Sequence, residues 1–176
     1  MEQVKTLAFT GMRAHKLPWG TDEGAPACLS LKIAVKALLA GLIELENVRR
    51  FISGMAMGVD MICAELVLEL KACYPDIALV AAIPYRDQDM LWPQEQRERY
   101  ARILPQCGEI HVISEEYTDD CVEIRSRWMV DECDLLLAVW DGKPGGGAGD
   151  AAEYAREKDK RVIVINPFDM TREDEC

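Results

Sequence analysis

Six short, nearly continuous apolar runs divide the chain: Val4–Phe9, Arg50–Ser53, Ile77–Ile83, Glu109–Ser114, Leu135–Trp140 and Arg161–Ile165. Runs of this length, rich in Val, Ile, Leu and Ala, are expected of strands covered on both faces, because neither face then requires polar residues. The segments between them carry a different period. In residues 58–74, Ile62, Leu66 and Leu70 recur at every fourth position, and residues 28–46 have a broad apolar face. Residues 92–104 place Pro93 where a first-turn proline is tolerated and gather Tyr100, Ile103 and Leu104 on one side. Residues 119–133 and 148–158 complete five helical patterns. This alternation predicts an α/β protein in which a mainly parallel sheet of about six strands lies between two layers of helices. With 176 residues, no internal repeat and no linker, one domain spanning 1–176 is expected. Segment 14–26, which contains Pro and Gly, is predicted as a loop.

Open parallel sheets bind ligands outside the carboxyl ends of their strands. Four of the strand ends here carry unusual residues: "TGMR" (10–13), "SGMAMG" (53–58), "IPYRDQ" (83–88) and "WDGKPGGGAGD" (140–150). Glycine in such turns permits close approach of a ligand to backbone N–H groups, and a helix that begins there points its positive dipole end at an anion. The expectation is one shared phosphate-binding rim. Its candidate ligand contacts are Thr10, Gly11, Arg13, Ser53, Gly54, Gly58, Asp60, Tyr85, Gln88, Gly145, Gly146 and Gly147.

Composition narrows the classes of partner. Twenty Lys and Arg stand against 31 Asp and Glu, a net charge of −11. Such a chain opposes non-specific binding to nucleic acid or to an anionic membrane, so neither partner is expected. The seven cysteines form no CxxC pair and several lie in apolar surroundings, which reads as reduced packing residues of a cytoplasmic protein. His15 and His111 are the two histidines, and no Cys/His spacing suggests a metal site. No metal and no cofactor are expected. No basic leader opens the sequence and no apolar run is long enough to span a bilayer.

Taken in order, "TGMRAHKL", "SGMAMGVDMICAE", "AAIPYRDQDMLW", "RSRWMVDECDLLLAVWDGKPGG" and "EYA" resemble the YpsA-like branch of the SLOG superfamily across roughly residues 4–167. SLOG domains are Rossmann-like and include the DNA-processing protein DprA and the LOG phosphoribohydrolases. The resemblance implies a three-layer Rossmann-like fold with a nucleotide or nucleotide-derived ligand at the rim, and homo-oligomers are plausible by the same likeness. The LOG pattern sets an Arg on a helix, a Met four residues on, an Asp nine residues on, and a strand ending in PGGxGTxxE. Arg125, Met129 and Asp134 stand at those distances, Pro144, Gly145 and Gly146 match the PGG, and Gly149 and Glu153 match its end. Two departures are visible: one extra residue before Gly149, and Asp150 in place of Thr. Met12 and Ser126 stand where the YpsA-like pattern has His and Asn. A sensing role is therefore preferred. The alternative is hydrolysis of the N-glycosidic bond of a nucleoside 5′-monophosphate, with Arg125 and Glu153 as catalytic residues; a DprA-like role is disfavoured by charge.

Each candidate also has a plainer reading. Arg125 either holds a phosphate or is a solvated helical Arg paired with Asp131 or Glu132. Glu153 either assists at a ribose or, in the first turn of a helix, simply favours its dipole. Asp60 contacts a ribose or caps a helix, and Tyr85 and Gln88 are placed to stack on and hydrogen-bond a base. Arg13 directly follows the first strand and suits an anion, and His15 and Lys16 lie in the next loop. Trp92 reads as a packing anchor, His111 as structural, and the tail "TREDEC" as a solvated end.

Overall fold

A computed structural model of the chain describes residues 3–176. Five helices and seven strands follow one another as β1 (Lys5–Gly11), α1 (Pro26–Glu46), β2 (Val48–Ser53), α2 (Val59–Leu70), β3 (Ala78–Tyr85), α3 (Gln94–Ile103), β4 (Glu109–Ser114), α4 (Cys121–Glu132), β5 (Leu135–Val139), α5 (Gly146–Glu157), β6 (Arg161–Ile165) and β7 (Arg172–Glu175). The strands form one sheet in the order β4-β3-β2-β1-β5-β6-β7, parallel throughout except that β7 runs antiparallel to β6. The chain therefore winds outward from β1 to β4, crosses back through α4, and continues from β5 on the other side of β1. This crossing puts α1, α2 and α3 on one face and α4 and α5 on the other, as crossovers of a single hand require.

The apolar runs serve both faces by alternation. Leu7, Phe9, Phe51, Leu79, Leu135 and Leu137 point into the larger core under α1, α2 and α3. Ala8, Ile52, Val80, Ala82, Leu136 and Ala138 point into the smaller core under α4 and α5, where Ala151, Ala152 and Ala155 let α5 lie close to the sheet. Because side chains alternate along a strand, a run buried on both faces needs apolar residues at every position. α1 ends where Asn47 adopts φ 57° and its N–H caps the carbonyl of Leu42.

Three expectations are revised. The sheet has seven strands, not six: the acidic tail, read as a solvated end, forms β7, held by Arg156 to Glu175 at 2.6 Å and Arg161 to Asp174 at 2.7 Å. β4 lies at the opposite edge and is at most half-buried, so it is not covered on both faces. Segment 14–26 is not all loop: Ala14–Lys16 is a short 3-10 turn, Leu17 and Trp19 are buried, and Pro26 opens α1. Among the described residues no helix is long and apolar enough to cross a membrane.

Candidate functional site

β1 and β5 are neighbours in the sheet, yet the chain leaves their carboxyl ends toward opposite faces. A crevice opens at such a switch point. Here it is a cleft of about 750 Å³, walled by the ends of β1, β2, β3 and β5 and by the turn after β6.

Small residues let these walls meet. A Cβ on Gly11 would fall 2.4 Å from the Cβ of Val59, so glycine allows the start of α2 to lie against the end of β1. Gly58 caps α2 at φ 97°, and Gly145 and Gly146 open α5 at φ 87° and 80°, a region that favours glycine. Neither cap makes a side-chain hydrogen bond. The first N–H groups of both helices, which lack intrahelical partners, therefore begin at the cleft, where Val59 and Gly145–Ala148 form part of its lining.

Ser53 and Gly54 do not line the cleft; they frame it. Ser53 is wholly buried, its hydroxyl donating to the carbonyl of Asp60 at 2.9 Å and accepting the Met55 N–H at 3.1 Å. Gly54 makes room for a side chain of the protein itself, since a Cβ there would lie 2.3 Å from Nη1 of Arg125 and 2.7 Å from Oδ2 of Asp60. Met55, a non-glycine residue at φ 55°, completes this constrained turn.

Arg125 rises from α4 into the floor of the cleft and is only 7% exposed. Its Nη1 donates to the carbonyl of Gly54 at 2.6 Å and more weakly to that of Ala82 at 3.5 Å, while its buried Nε has no partner. It pairs with neither Asp131 nor Glu132, so the surface-ion-pair reading is set aside. Asp60 closes the turn locally, its Oδ2 accepting the Ala56 N–H at 3.3 Å. Burial raises the Asp60 pKa, opposed first by Arg125, and burial likewise lowers that of Arg125.

The remaining candidates divide. Thr10, Gly11, Arg13, Tyr85 and Gln88 line the cleft with Asp60 and Gly145–Gly147. Arg13 is exposed and makes no ion pair among the described residues. Tyr85 is half-buried and meets Tyr117 edge-on at 5.4 Å. Gln88 is buried, its Nε2 at 3.4 Å from both the Met55 carbonyl and the Tyr100 hydroxyl, so its amide nitrogen serves the frame. Trp92 packs edge-on to Tyr100 and also walls the cleft. His15 and Lys16 lie at the rim. Glu153 does not join them: it is exposed, two turns into α5 instead of in its first turn, and lies outside the cleft, as does Asp150. His111 stacks on Trp128 at 4.0 Å, between β4 and α4.

Trp140, Lys143 and Phe168 line the cleft and were not singled out by sequence reasoning. Trp140 sits on Gly149, where a Cβ would come within 3.1 Å of the indole, and its Nε1 donates to the Lys143 carbonyl at 3.0 Å. An aromatic closing a strand end was the available signal. Phe168 had none; it is 56% exposed in the β6–β7 turn and reaches the site only through the fold.

A doubly wound parallel sheet with a glycine-edged, cation-bearing crevice at its switch point defines a Rossmann-like α/β protein. The model of the YspA SLOG family (YpsA) matches residues 7–170, and the chain belongs to that family. It is 32% identical over 144 residues to the uncharacterized SPbeta prophage-derived protein YoqJ of Bacillus subtilis, covering 75% of this chain and 84% of that one. A UPF0398 protein of Brevibacillus brevis is 29% identical over 173 residues, 95% of this chain and 91% of the relative. Among solved structures, DNA processing protein A of Helicobacter pylori, described for its single-stranded DNA binding mode, superposes with a TM-score of 0.58 at 22% identity. That match covers 92% of this chain and 65% of the Helicobacter chain, so this chain spans less than two thirds of that protein, and the likeness is one of fold.

Proposed function

We propose that the cleft binds a nucleotide or nucleotide-derived ligand through its phosphate, in a sensing or regulatory role. The observation that carries this reading is the sign of the cleft. In a chain of net charge −11, its lining holds four Arg or Lys residues against two Asp. Arg13 and Lys16 have no acidic partner among the described residues, and Arg125 keeps a buried Nε without an acceptor. Two helix N-termini whose glycine caps make no side-chain hydrogen bond add partial positive charge to the same space. A phosphate against Gly145, Gly146 and Gly147, faced by Arg13, meets the accessible donors of this set, and the base then lies toward Tyr85. Catalysis is not favoured, because Glu153 lies outside the cleft.

The test is thermal stability against AMP, other nucleoside monophosphates, NAD and ADP-ribose at millimolar concentration. A ligand at 100 times its Kd stabilises by about 2.7 kcal/mol. A selective shift supports the reading; a flat panel overturns it. The single-stranded DNA named for the Helicobacter protein is disfavoured by the acidic surface, and a gel shift that weakens steeply with salt would reverse that judgement.

A further inference from the structure

α1 is apolar on two sides. Leu31, Val35, Leu39 and Leu42 pack into the core beneath it. On the outward side Leu29, Ile33, Ala37, Gly41 and Leu45 recur at every fourth position, a ridge that runs obliquely along the helix. Leu29 is 47%, Ile33 71% and Leu45 84% exposed. Large residues thus stand at both ends of the ridge and small ones in between, and a Cβ on Gly41 would meet nothing within 4 Å. A helix whose outer side meets only water carries polar residues there. The charges beside the ridge say what kind of surface covers it. α1 has four charged residues, none of them in the ridge, and each is engaged within the chain: Lys32 with Glu23, Lys36 with Glu69, Glu44 with the Tyr74 hydroxyl and Glu46 with Arg161. The face therefore seeks no counter-ion, and its partner is selected by shape.

We propose that a second copy of the chain covers this ridge, the two α1 helices crossing antiparallel about a two-fold axis at Ala37. Residues equally far from Ala37 on either side then face each other. Ile33 of each copy fills the gap over Gly41 of the other, Leu29 meets Leu45, and Ala37 meets its own counterpart. The ridge is complementary to itself in this sense alone, large against small at the middle and large against large at the ends. The small central residues let the helix axes approach to about 8 Å, the near end of helix packing. Antiparallel crossing also sets the positive end of each helix toward the negative end of the other. A helix of 21 residues is about 32 Å long. One face of that length buries less than the roughly 800 Å² per partner of a standard interface, so the dimer forms reversibly with concentration.

Sedimentation velocity of the full chain, from micromolar to near-millimolar concentration, shows a monomer–dimer equilibrium if this is so. Gly41→Leu separates the interface from the fold. It replaces a helix-interior glycine in open space, so the melting temperature of the monomer holds or rises, while the dimer dissociation constant rises by roughly tenfold or more. Ile33→Ser, at an exposed position, weakens the dimer likewise and leaves the melting temperature unchanged. Disulfide cross-linking in a Cys73→Ser, Cys176→Ser background reads the two-fold. Ala37→Cys links to itself, whereas Leu29→Cys links only when mixed with Leu45→Cys. A chain monomeric throughout, or a dimer indifferent to Gly41→Leu and Ile33→Ser, overturns the proposal. So does a dimer in which Leu29→Cys links to itself or Ala37→Cys does not.

Discussion

Arg125 and Gly54 are fitted to each other at one atom: Nη1 donates to the Gly54 carbonyl at 2.6 Å, directly above a Cα that must carry no side chain. Gly54→Ala would drive a methyl to 2.3 Å from that nitrogen and displace the guanidinium. The expected loss is about 1–3 kcal/mol of stability, measured by urea unfolding, and, on the nucleotide reading proposed above, weaker nucleotide affinity. A variant that binds and unfolds like the parent would show that Arg125 has another seat.

Gly11 and Val59 form a second fitted pair, at the junction of β1 and α2. Gly11→Ala is expected to destabilise by about 1–3 kcal/mol, because the obstructing atoms belong to a stiff β-branched side chain. Val59→Gly in the same molecule, which removes the opposing Cβ along with both methyls, should recover part of that loss. The double-mutant cycle then returns a coupling energy of favourable sign, whereas strict additivity would exclude the clash as the cause.

Arg99 is buried between two acids, donating to Glu23 at 2.7 Å and to Glu65 at 2.7 Å, and so ties the segment after β1 to α2 and α3. Arg99→Gln removes the cation those carboxylates share, while Lys32 and Arg102 stay near them, and should cost about 1–3 kcal/mol. The urea midpoint should fall without a change in slope. A shift below 1 kcal/mol would make the pairs incidental.

Stability should depend on pH in two opposite ways. Arg161 bonds Glu46 and Asp174 and lowers both carboxyl pKa values, so their contribution is present above the unfolded values of 4.5 and 3.8 and is lost as pH falls through the lowered folded values. Arg161→Met should flatten this acid limb and remove about 1–2 kcal/mol at neutral pH. Asp60 has the reverse sign. Its raised pKa favours the fold below 3.8 and opposes it as pH rises through the folded value. Asp60→Asn should therefore be at least as stable as the parent at pH 7, with the difference closing in acid.

Thiol reactivity should follow burial. Cys73 and Cys176 are exposed, whereas burial pushes Cys133 up to about 12 and Cys63 well above the ordinary thiol value. An aromatic disulfide reagent at pH 8 should modify Cys73 and Cys176 within minutes and the buried thiols only on unfolding. Rapid reaction of Cys63 or Cys133 would mean that the cores open readily.

The parts of this fold legible in the sequence were those where burial dictated composition. Runs such as residues 135–139 declare a strand because both faces are packed. β7 declared nothing: Arg172–Glu175 is entirely charged, and its pairing rests on the edge of β6 and on Arg156 and Arg161 from elsewhere in the chain. The rim was legible through its glycines, but their duties were not. Gly11 and Gly54 face side chains of the protein, while Gly145, Gly146 and Gly147 have open space where a Cβ would stand. Sequence spacing placed Glu153 beside the site, whereas the exposed side of α5 carries it away. Phe168 could be found only once the β6–β7 turn had been folded over the strand ends.

The charged last strand also decides what the sheet offers to its neighbours. β6 reads Arg-Val-Ile-Val-Ile, a run that would pair with almost any extended chain if its outer edge were bare. Covered by Arg-Glu-Asp-Glu, that edge presents one cation and three acids to solvent instead of an apolar template. A chain shortened after Phe168 would expose the β6 edge, and it is expected to self-associate through its sheet, as light scattering would register. Arg172–Glu175 thus occupies the hydrogen-bonding edge of β6 that another extended chain would otherwise use.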